Sequence, residues 1–347
     1  MNISGKSAAN SSIGSKRGIE CEDEVDKKYR LFKQFDMVQD HSDHYFSDSV
    51  VAQAYEFKLL NLQPTSFWMS RVQREWKILQ YNLPETIYVR AYEERMDILR
   101  ALIVGPAGTP YHDGLFFFDI FFPPKYPDKP PKVHYHARGL RLNPNLYECG
   151  KVCLSLLNTW RGSGCERWNP LKSTILQVVV SIQALILNSR PYFNEPLTAW
   201  RSILPFTENL ALAYNEHAFL LSCKSMCYTL RRPPMHFEDF VVWHFRKHGH
   251  GILHACRAYM NGAQIGSEIN RAHNASVQGG NRCPSSFKES LEKSYEKLMI
   301  QFRVDCVECA EFVDQIMMRP PNYSPCCNFT MILMVLLVFA IIYVLFW

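Results

Sequence analysis

The amino end lacks any apolar stretch. "MNISGKSAANSSIGSKRG" is small, polar and basic, which excludes a secretory signal there. The chain also lacks a clustered basic face. Its net charge is only +5, with basic residues scattered among acidic ones, so it carries no footprint for nucleic acid. No internal repeat is visible. The 12 cysteines have no small-scaffold regularity, so a reducing compartment and free thiols are expected. A metal-ligand set is missing as well. Cys149, the cysteine nearest Cys153, comes without an accompanying histidine pair, and Cys306 and Cys309 form a lone C-x-x-C that one helical turn fits equally well. What the chain does have is 47% hydrophobic residues over 347 positions, enough for a sizeable core and roughly two domains.

Residues 1–60 are rich in Ser, Gly, Asn, Lys and Asp and are expected to be largely disordered, the first twenty or so above all. From Ser66 the pattern changes. Val72, Trp76 and Leu79 are spaced for one helical face, with Ser66 as a candidate cap and Pro84 beyond the end. The runs "TIYVRAY", "DILRALIVG", "LFFFDIFFP" and "KVHYH" follow, rich in β-branched and aromatic residues and separated by turn segments. This predicts a helix and then a four-stranded antiparallel meander. "LKSTILQVVVSIQALIL" predicts a buried helix starting near Ser173 or Thr174. Two more helices are expected in "NLALAYNEHAFLLSCKSMCYTLRRPP" and "FEDFVVWHFRKHGHGILHACRAYM". The resulting division is a core at 66–227, a helical extension at 228–261, a linker at 262–286 and an amphipathic helix at 287–318. In the second of those helices His244 and His248 share a face, and a solvent-facing position is expected for both.

"FTMILMVLLVFAIIYVLFW", residues 329–347, has no charge, proline or glycine. As a helix it spans ~28 Å, close to the ~30 Å of a hydrocarbon core. It is expected to be a transmembrane tail anchor, with the endoplasmic reticulum favoured by weak flanking positive charge. Cys326 and Cys327 beside it are candidates for S-acylation.

Cys153 sits eight residues beyond Asn145, just after a Pro-Asn turn and before an apolar run. Four readings compete for it: core filler, disulfide half, metal ligand and nucleophile. A nucleophile needs polar donors nearby, exposure and a turn that presents the sulfur.

The motifs "PPKYPDKPPKVHYH", "NPN", "GKVCLSLL", a downstream Trp-Asn-Pro and a segment ending in "NEPL" occur in one order. From about Arg71 to about Cys227 the chain resembles the ubiquitin-conjugating (E2) enzymes. "YHDGLFFFDIFFPPKYP", "SIQALILNSRPYFNEP" and "RRPPMHFEDF" are most similar to the branch of the plant phosphate-homeostasis E2 and the large hybrid E2/E3 enzymes, and there the resemblance extends to about Gly266. The resemblance implies the α+β conjugating fold and a reaction in which Cys153 receives ubiquitin as a thioester from an activating enzyme (E1). The ATP is spent by that partner, so no cofactor, nucleotide or metal is expected on this chain.

The family's His-Pro-Asn falls on Asn143, Pro144 and Asn145, with Asn in the first place. The resemblance makes Asn145 the donor to the oxyanion formed when a substrate lysine attacks, and a turn residue is its other reading. Glu195 falls where the family carries an acidic residue before Pro-Leu, implying that it helps deprotonate the lysine. An N-cap neighbour is its other reading. Ser155 stands where many E2s are acidic. Contacts to E1 or a ligase (E3) are implied for Arg71 and Arg74 on the first helix, for Asp128 where ligase-dependent E2s often have an aromatic, and for Asn169, Pro170 and Leu171 in a second loop. Residues 154–167 form an insertion beside Cys153 that could gate the groove or be passive. A silent E2-like membrane scaffold and an E2 for another modifier are the rival functions.

Overall fold

A computed structural model of the protein describes residues 24–47, 65–195, 207–267 and 283–305. In chain order the elements are α1 (Glu24–Arg30), β1 (Phe35–Val38), α2 (Ser66–Asn82), β2 (Ile87–Tyr92), β3 (Ile98–Val104), β4 (Leu115–Phe121), β5 (Lys132–Tyr135), α3 (Ile175–Ser181), α4 (Thr207–Arg231), α5 (Glu238–Met260) and α6 (Ser285–Asp305).

The four predicted strands form the antiparallel meander β2-β3-β4-β5. A fifth strand joins it: β1 pairs parallel to β2, with Phe35 opposite Val89. The expectation that residues 1–60 are largely disordered is therefore corrected for Glu24–Ser47, which form a helix, a strand and a turn-rich strap. Residues 1–23 and 48–64 lie outside the described residues. The strap escapes periodicity because β1 is only four residues long and its neighbours are polar.

Alternation along the strands sorts their side chains onto two faces. The inner face, with Val89, Ala91, Leu99, Ala101, Phe116, Phe118 and Ile120, packs on Trp68, Val72 and Leu79 of α2 and on Ile175, Val178 and Val179 of α3. Helix α2 forms where it is predicted, but its cap is Thr65 rather than Ser66: the Thr65 hydroxyl accepts from the Trp68 N–H at 3.1 Å, and Ser66 is the first helical residue. Helix α3 is shorter than expected. It starts from a capping box of Thr174 and Gln177 and passes at Ser181 into a wide turn, Ile182–Ile186.

The outer face, with Leu102, Leu115 and Phe117, is covered by α4, α5 and α6 through Phe219, Phe240, Val241, Leu291 and Phe302. Helix α4 runs unbroken through the expected domain boundary at 227/228. It contributes Ala218 to the inner core and Phe219 to the outer one, so core and extension share a helix. The amphipathic helix begins at Ser285, and its expected continuation to 318 lies outside the described residues beyond 305. Among the described residues no helix is long and apolar enough to cross a membrane, and the expected span at 329–347 lies outside them. Cys306, Cys309, Cys326 and Cys327 lie outside them too.

Candidate active site

The turn after β5 carries the site. Leu146 and Val152 pair across a tight hairpin, the Tyr147 N–H donates to the Lys151 carbonyl at 3.0 Å, and the Gly150 N–H donates to the Tyr147 carbonyl at 2.9 Å. Gly150 has φ of +86°, a left-handed position that glycine takes without a Cβ penalty. Cys153 leaves the hairpin with its N–H on the Asn145 carbonyl at 2.9 Å.

The side chain of Asn145 closes the same ring from the other side. Its Nδ2 donates to the Cys153 carbonyl at 2.8 Å, while its buried Oδ1 has no hydrogen-bond partner among the described residues. The two readings of Asn145 therefore meet in one geometry. One amide hydrogen braces the turn, and a carboxamide nitrogen carries a second that a substrate oxyanion can use. Asn143 supplies the brace that histidine gives elsewhere in the motif. Its Nδ2 donates to the Tyr111 hydroxyl and to the Ile186 carbonyl, both at 2.8 Å, and its Oδ1 accepts the Asn145 N–H at 2.8 Å.

Cys153 is 2% exposed. Burial pushes its thiol pKa up. The Lys151 ammonium and a hydrogen bond with Tyr147 pull the other way, and Cys149 and the Glu195 carboxylate add to the rise. The thiol is thus held protonated at neutral pH, which suits a group that carries an acyl chain and must not react with passing electrophiles. Glu195 follows the short 3-10 turn Pro191–Asn194 and is within electrostatic range of the sulfur. The structure thus joins Cys153 and Asn145 by hydrogen bonds and places Glu195 within electrostatic range of them.

Sequence reasoning missed the polar frame behind them. Asn194 donates to the Ile186 carbonyl at 3.1 Å and accepts from Asn188 at 2.7 Å, tying the Glu195 segment to the same carbonyl that holds Asn143. Thr159, inside the 154–167 insertion, accepts the Leu154 N–H at 2.9 Å and donates to the Val152 carbonyl at 2.8 Å. The insertion is folded back onto the cysteine strand through this hydroxyl, and the Thr159 N–H and the Ser155 hydroxyl add bonds to the Leu154 and Arg161 carbonyls at 3.3 and 2.7 Å. Asn and Thr are common turn formers, so nothing in the linear pattern set these apart.

Of the expected partner-binding residues, Arg74 and Asp128 are exposed, Asn169 caps its own loop by accepting the Leu171 N–H at 2.9 Å, Pro170 is half-buried, and Leu171 is 84% exposed. The indole of Trp168 donates to the Pro127 carbonyl at 2.6 Å, which sets the Asp128 loop beside the Asn169 loop. Arg71 is a correction. It is only 9% exposed, pairs with Glu75 at 3.0 Å and donates to the Ser173 carbonyl at 2.7 Å. Glu75 in turn accepts the Tyr126 hydroxyl and the Ile175 N–H, both at 2.9 Å, so Arg71 is turned inward to meet a buried carboxylate that also starts α3. Burial raises the Glu75 pKa, partly offset by these donors. His244 is a second correction. It is buried, with Nε2 2.9 Å from the Asp113 carbonyl, whereas its neighbour His248 is half-buried and meets the Asp113 carboxylate at 3.2 Å.

With this geometry described, comparison with known proteins places the chain. The sequence profile of the ubiquitin-conjugating enzyme family matches residues 71–206. The chain is 52% identical over 282 residues to the probable ubiquitin-conjugating enzyme E2 24 of Arabidopsis thaliana, covering 80% of this chain and 30% of that protein. It is 49% identical over 284 residues to the putative ubiquitin-conjugating enzyme E2 38 of the same plant, covering 82% of each. It is 40% identical over 198 residues to the dual E2 ubiquitin-conjugating enzyme/E3 ubiquitin-protein ligase BIRC6 of Homo sapiens, covering 55% of this chain and 4% of that protein. The chain spans less than half the length of some curated relatives, 30% of E2 24 and 44% of the probable E2 25. Both arms of the expected branch, plant E2s and a hybrid E2/E3, are among these relatives. A braced cysteine hairpin inside the matched region, together with 49% identity across 82% of a complete relative, establishes that the chain belongs to the ubiquitin-conjugating enzyme (E2) family.

Proposed function

We propose that this chain is an E2 enzyme that takes ubiquitin from E1 as a thioester on Cys153 and passes it to a substrate lysine, with or without an E3. The observation that carries the reading is the reciprocal bond between Asn145 and Cys153, which aims an amide donor at the backbone of the only cysteine in the family's position. In the first step Cys153 gives up its thiol proton to solvent, its sulfur attacks the E1-bound thioester carbonyl, and the E1 cysteine leaves as a thiolate. In the second step a lysine amine attacks the same carbonyl, Asn145 donates to the oxyanion, and the Cys153 thiolate is expelled. Glu195 takes up the amine proton directly or through water, which is needed because free lysine titrates near ~10.4. The exposed Arg74, Asp128, Asn169 and Leu171, with the half-buried Pro170, form the surface offered to E1 or E3.

The test is to charge the chain with E1, ATP and ubiquitin. Cys153→Ser should trap a reductant-resistant oxyester, and Cys153→Ala should not charge. Asn145→Ala should charge at near the normal rate and discharge to lysine about 10²–10³-fold more slowly. Normal charging by Cys153→Ala would overturn the assignment.

The reading extends to attachment at a membrane, the endoplasmic reticulum for preference, through 329–347. Thirteen of its nineteen residues are Leu, Ile, Phe or Val and none is charged. On the insertion scale these contribute on the order of 4–8 kcal/mol. Carbonate extraction should leave the full chain in the membrane pellet with its conjugating domain open to protease. Recovery in the supernatant would overturn this part.

A further inference from the structure

The N-terminal strap, outside the region the family profile matches, reaches the cysteine hairpin. Its Asp43 and His44 are tied to the sheet: the Asp43 carboxylate meets Arg100 at 2.7 Å, and the His44 ring lies 3.0 Å from the Leu99 carbonyl. The next N–H, that of Tyr45, donates to the fully buried Asp119 carboxylate at 2.7 Å. The Tyr45 backbone is therefore fixed while its ring, 41% exposed, lies flat on the ring of His134, with centroids 3.4 Å apart and planes 4° from parallel.

The other side of the His134 ring faces the hairpin. A Cβ placed on Gly150 would lie 2.0 Å from the His134 ring, so that ring rests directly on the glycine backbone. The strand backbone adds two more ties: the Tyr135 N–H donates to the Gly150 carbonyl at 2.8 Å, and His134 bridges to Lys151. Gly150 is three residues from Cys153, on the hairpin whose Tyr147 is hydrogen bonded to the thiol. Beside the stack an open cavity of about 400 Å3, bordered by Asp43, Glu148 and Cys149, leaves the hairpin tip without packing on that side among the described residues. Tyr45 and His134 are thus what supports Gly150 on its outer flank.

We propose that Tyr45 and His134 are positioning residues: the strap clamps the Gly150 turn through their stacked rings and so holds Cys153 against Asn145 for acyl transfer. The catalytic half of the proposal rests on the E2 reading above; the mechanical half does not. A stack of this kind acts through ring area, and the Tyr45 hydroxyl is not required. Without the ring, the hairpin opens more often. The thiol is then uncovered more of the time, and less of the population has the sulfur and the Asn145 amide in register.

The test uses the full chain with Tyr45→Ala, Tyr45→Phe and His134→Leu. Iodoacetamide labelling is read cysteine by cysteine by peptide mass spectrometry, alongside single-turnover discharge of the ubiquitin thioester to free lysine. Tyr45→Ala and His134→Leu should raise Cys153 labelling 3–10-fold and slow discharge 3–10-fold, and Tyr45→Phe should match the parent in both. Cys223 and Cys256, buried between α4 and α5, should remain unlabelled, which separates local loosening from unfolding. Unchanged Cys153 labelling in Tyr45→Ala, labelling that rises equally at Cys223 and Cys256, or a Tyr45→Phe as defective as Tyr45→Ala would overturn the proposal. A parent chain that never charges with ubiquitin would instead overturn the E2 reading, and the labelling would still decide whether the clamp exists.

Discussion

The two faces of the sheet are both covered, but by different means. The inner face is sealed by α2 and α3 with apolar side chains, and Glu75 with its three donors is the main charged intrusion. The outer face is apolar only in its middle, under α4 to α6, and is held by polar clamps at two places. At one, Asp119 accepts from Arg100 at 2.7 and 3.0 Å and from the strap, with His136 at 2.9 Å. At the other, Asp113 in the β3–β4 loop meets His112 at 2.8 Å and His248 at 3.2 Å. The far nitrogen of His112 lies 3.0 Å from the Tyr259 hydroxyl, which accepts the Gly266 N–H at 3.0 Å. Apolar burial is non-directional and supplies stability. Buried charge pairs recover little beyond their own desolvation but accept few alternative arrangements. The additions flanking the matched domain, strap and extension, are thus placed by the polar clamps and stabilised by the apolar middle.

The sharpest way to break this comparison is Asp119→Ala. It takes the fully buried carboxylate from the fully buried Arg100 guanidinium, leaving only the partly exposed Asp43 to pair with it, and should destabilise the chain by about 3–5 kcal/mol in urea unfolding. Replacing both, Arg100→Met with Asp119→Leu, should recover most of that loss. A double variant as unstable as the single would mean that the pair is not what sets outer-face stability.

Acid should act on the same face first. Burial lowers the pKa of His44 and of His244 to about 4, so both are neutral when folded. The unfolded chain, titrating near ~6.5, takes up protons first. Their contribution is therefore complete above pH ~6.5 and is lost as pH falls toward 4, by on the order of 3 kcal/mol each. Asp113 and Asp119, whose pKa values are held low in the fold, contribute above the ordinary carboxylate range and are lost only at more acid pH. Hydrogen exchange at pH 5 should accelerate in α5 before it does in α2. Equal acceleration in both would erase the distinction between the faces.

The smallest effect expected is that of Tyr259→Phe, which leaves His112 and the Gly266 N–H without their shared hydroxyl. About 1–3 kcal/mol of local stability should be lost, visible as faster exchange at 261–267 with discharge of the thioester unchanged. Slower discharge would show that the C-terminal clamp, like the strap, reaches the active site.

The inner face was legible because its elements announce themselves locally: α2 follows from a 3.6-residue pattern, and the meander from runs of β-branched and aromatic residues separated by turn segments. The outer face was less so. "LFFFDIFF" is apolar on both alternations, a sign of a strand buried on two sides, yet Asp119 interrupts one of them and its partner Arg100 lies in another strand. His244 reads as a surface histidine because its acceptor, the Asp113 carbonyl, is 131 positions away. Arg71 reads as a surface cation because Glu75, one turn on, gives no sign of being buried beneath Ile175.

By itself the sequence determined the family, the order of helix, meander and later helices, and the cysteine with its asparagine eight residues earlier, because these depend on local periodicity and on short motifs whose parts sit in one turn. Only the tertiary structure decided which of two arginines is exposed, that the strap adds a parallel strand, that α4 serves both cores, and that Tyr45 reaches His134 and so the Gly150 turn. Each of those is a contact between residues far apart in the chain. Its energy depends on the depth and angle at which two groups meet, and neither quantity is written in the spacing of residues along one strand.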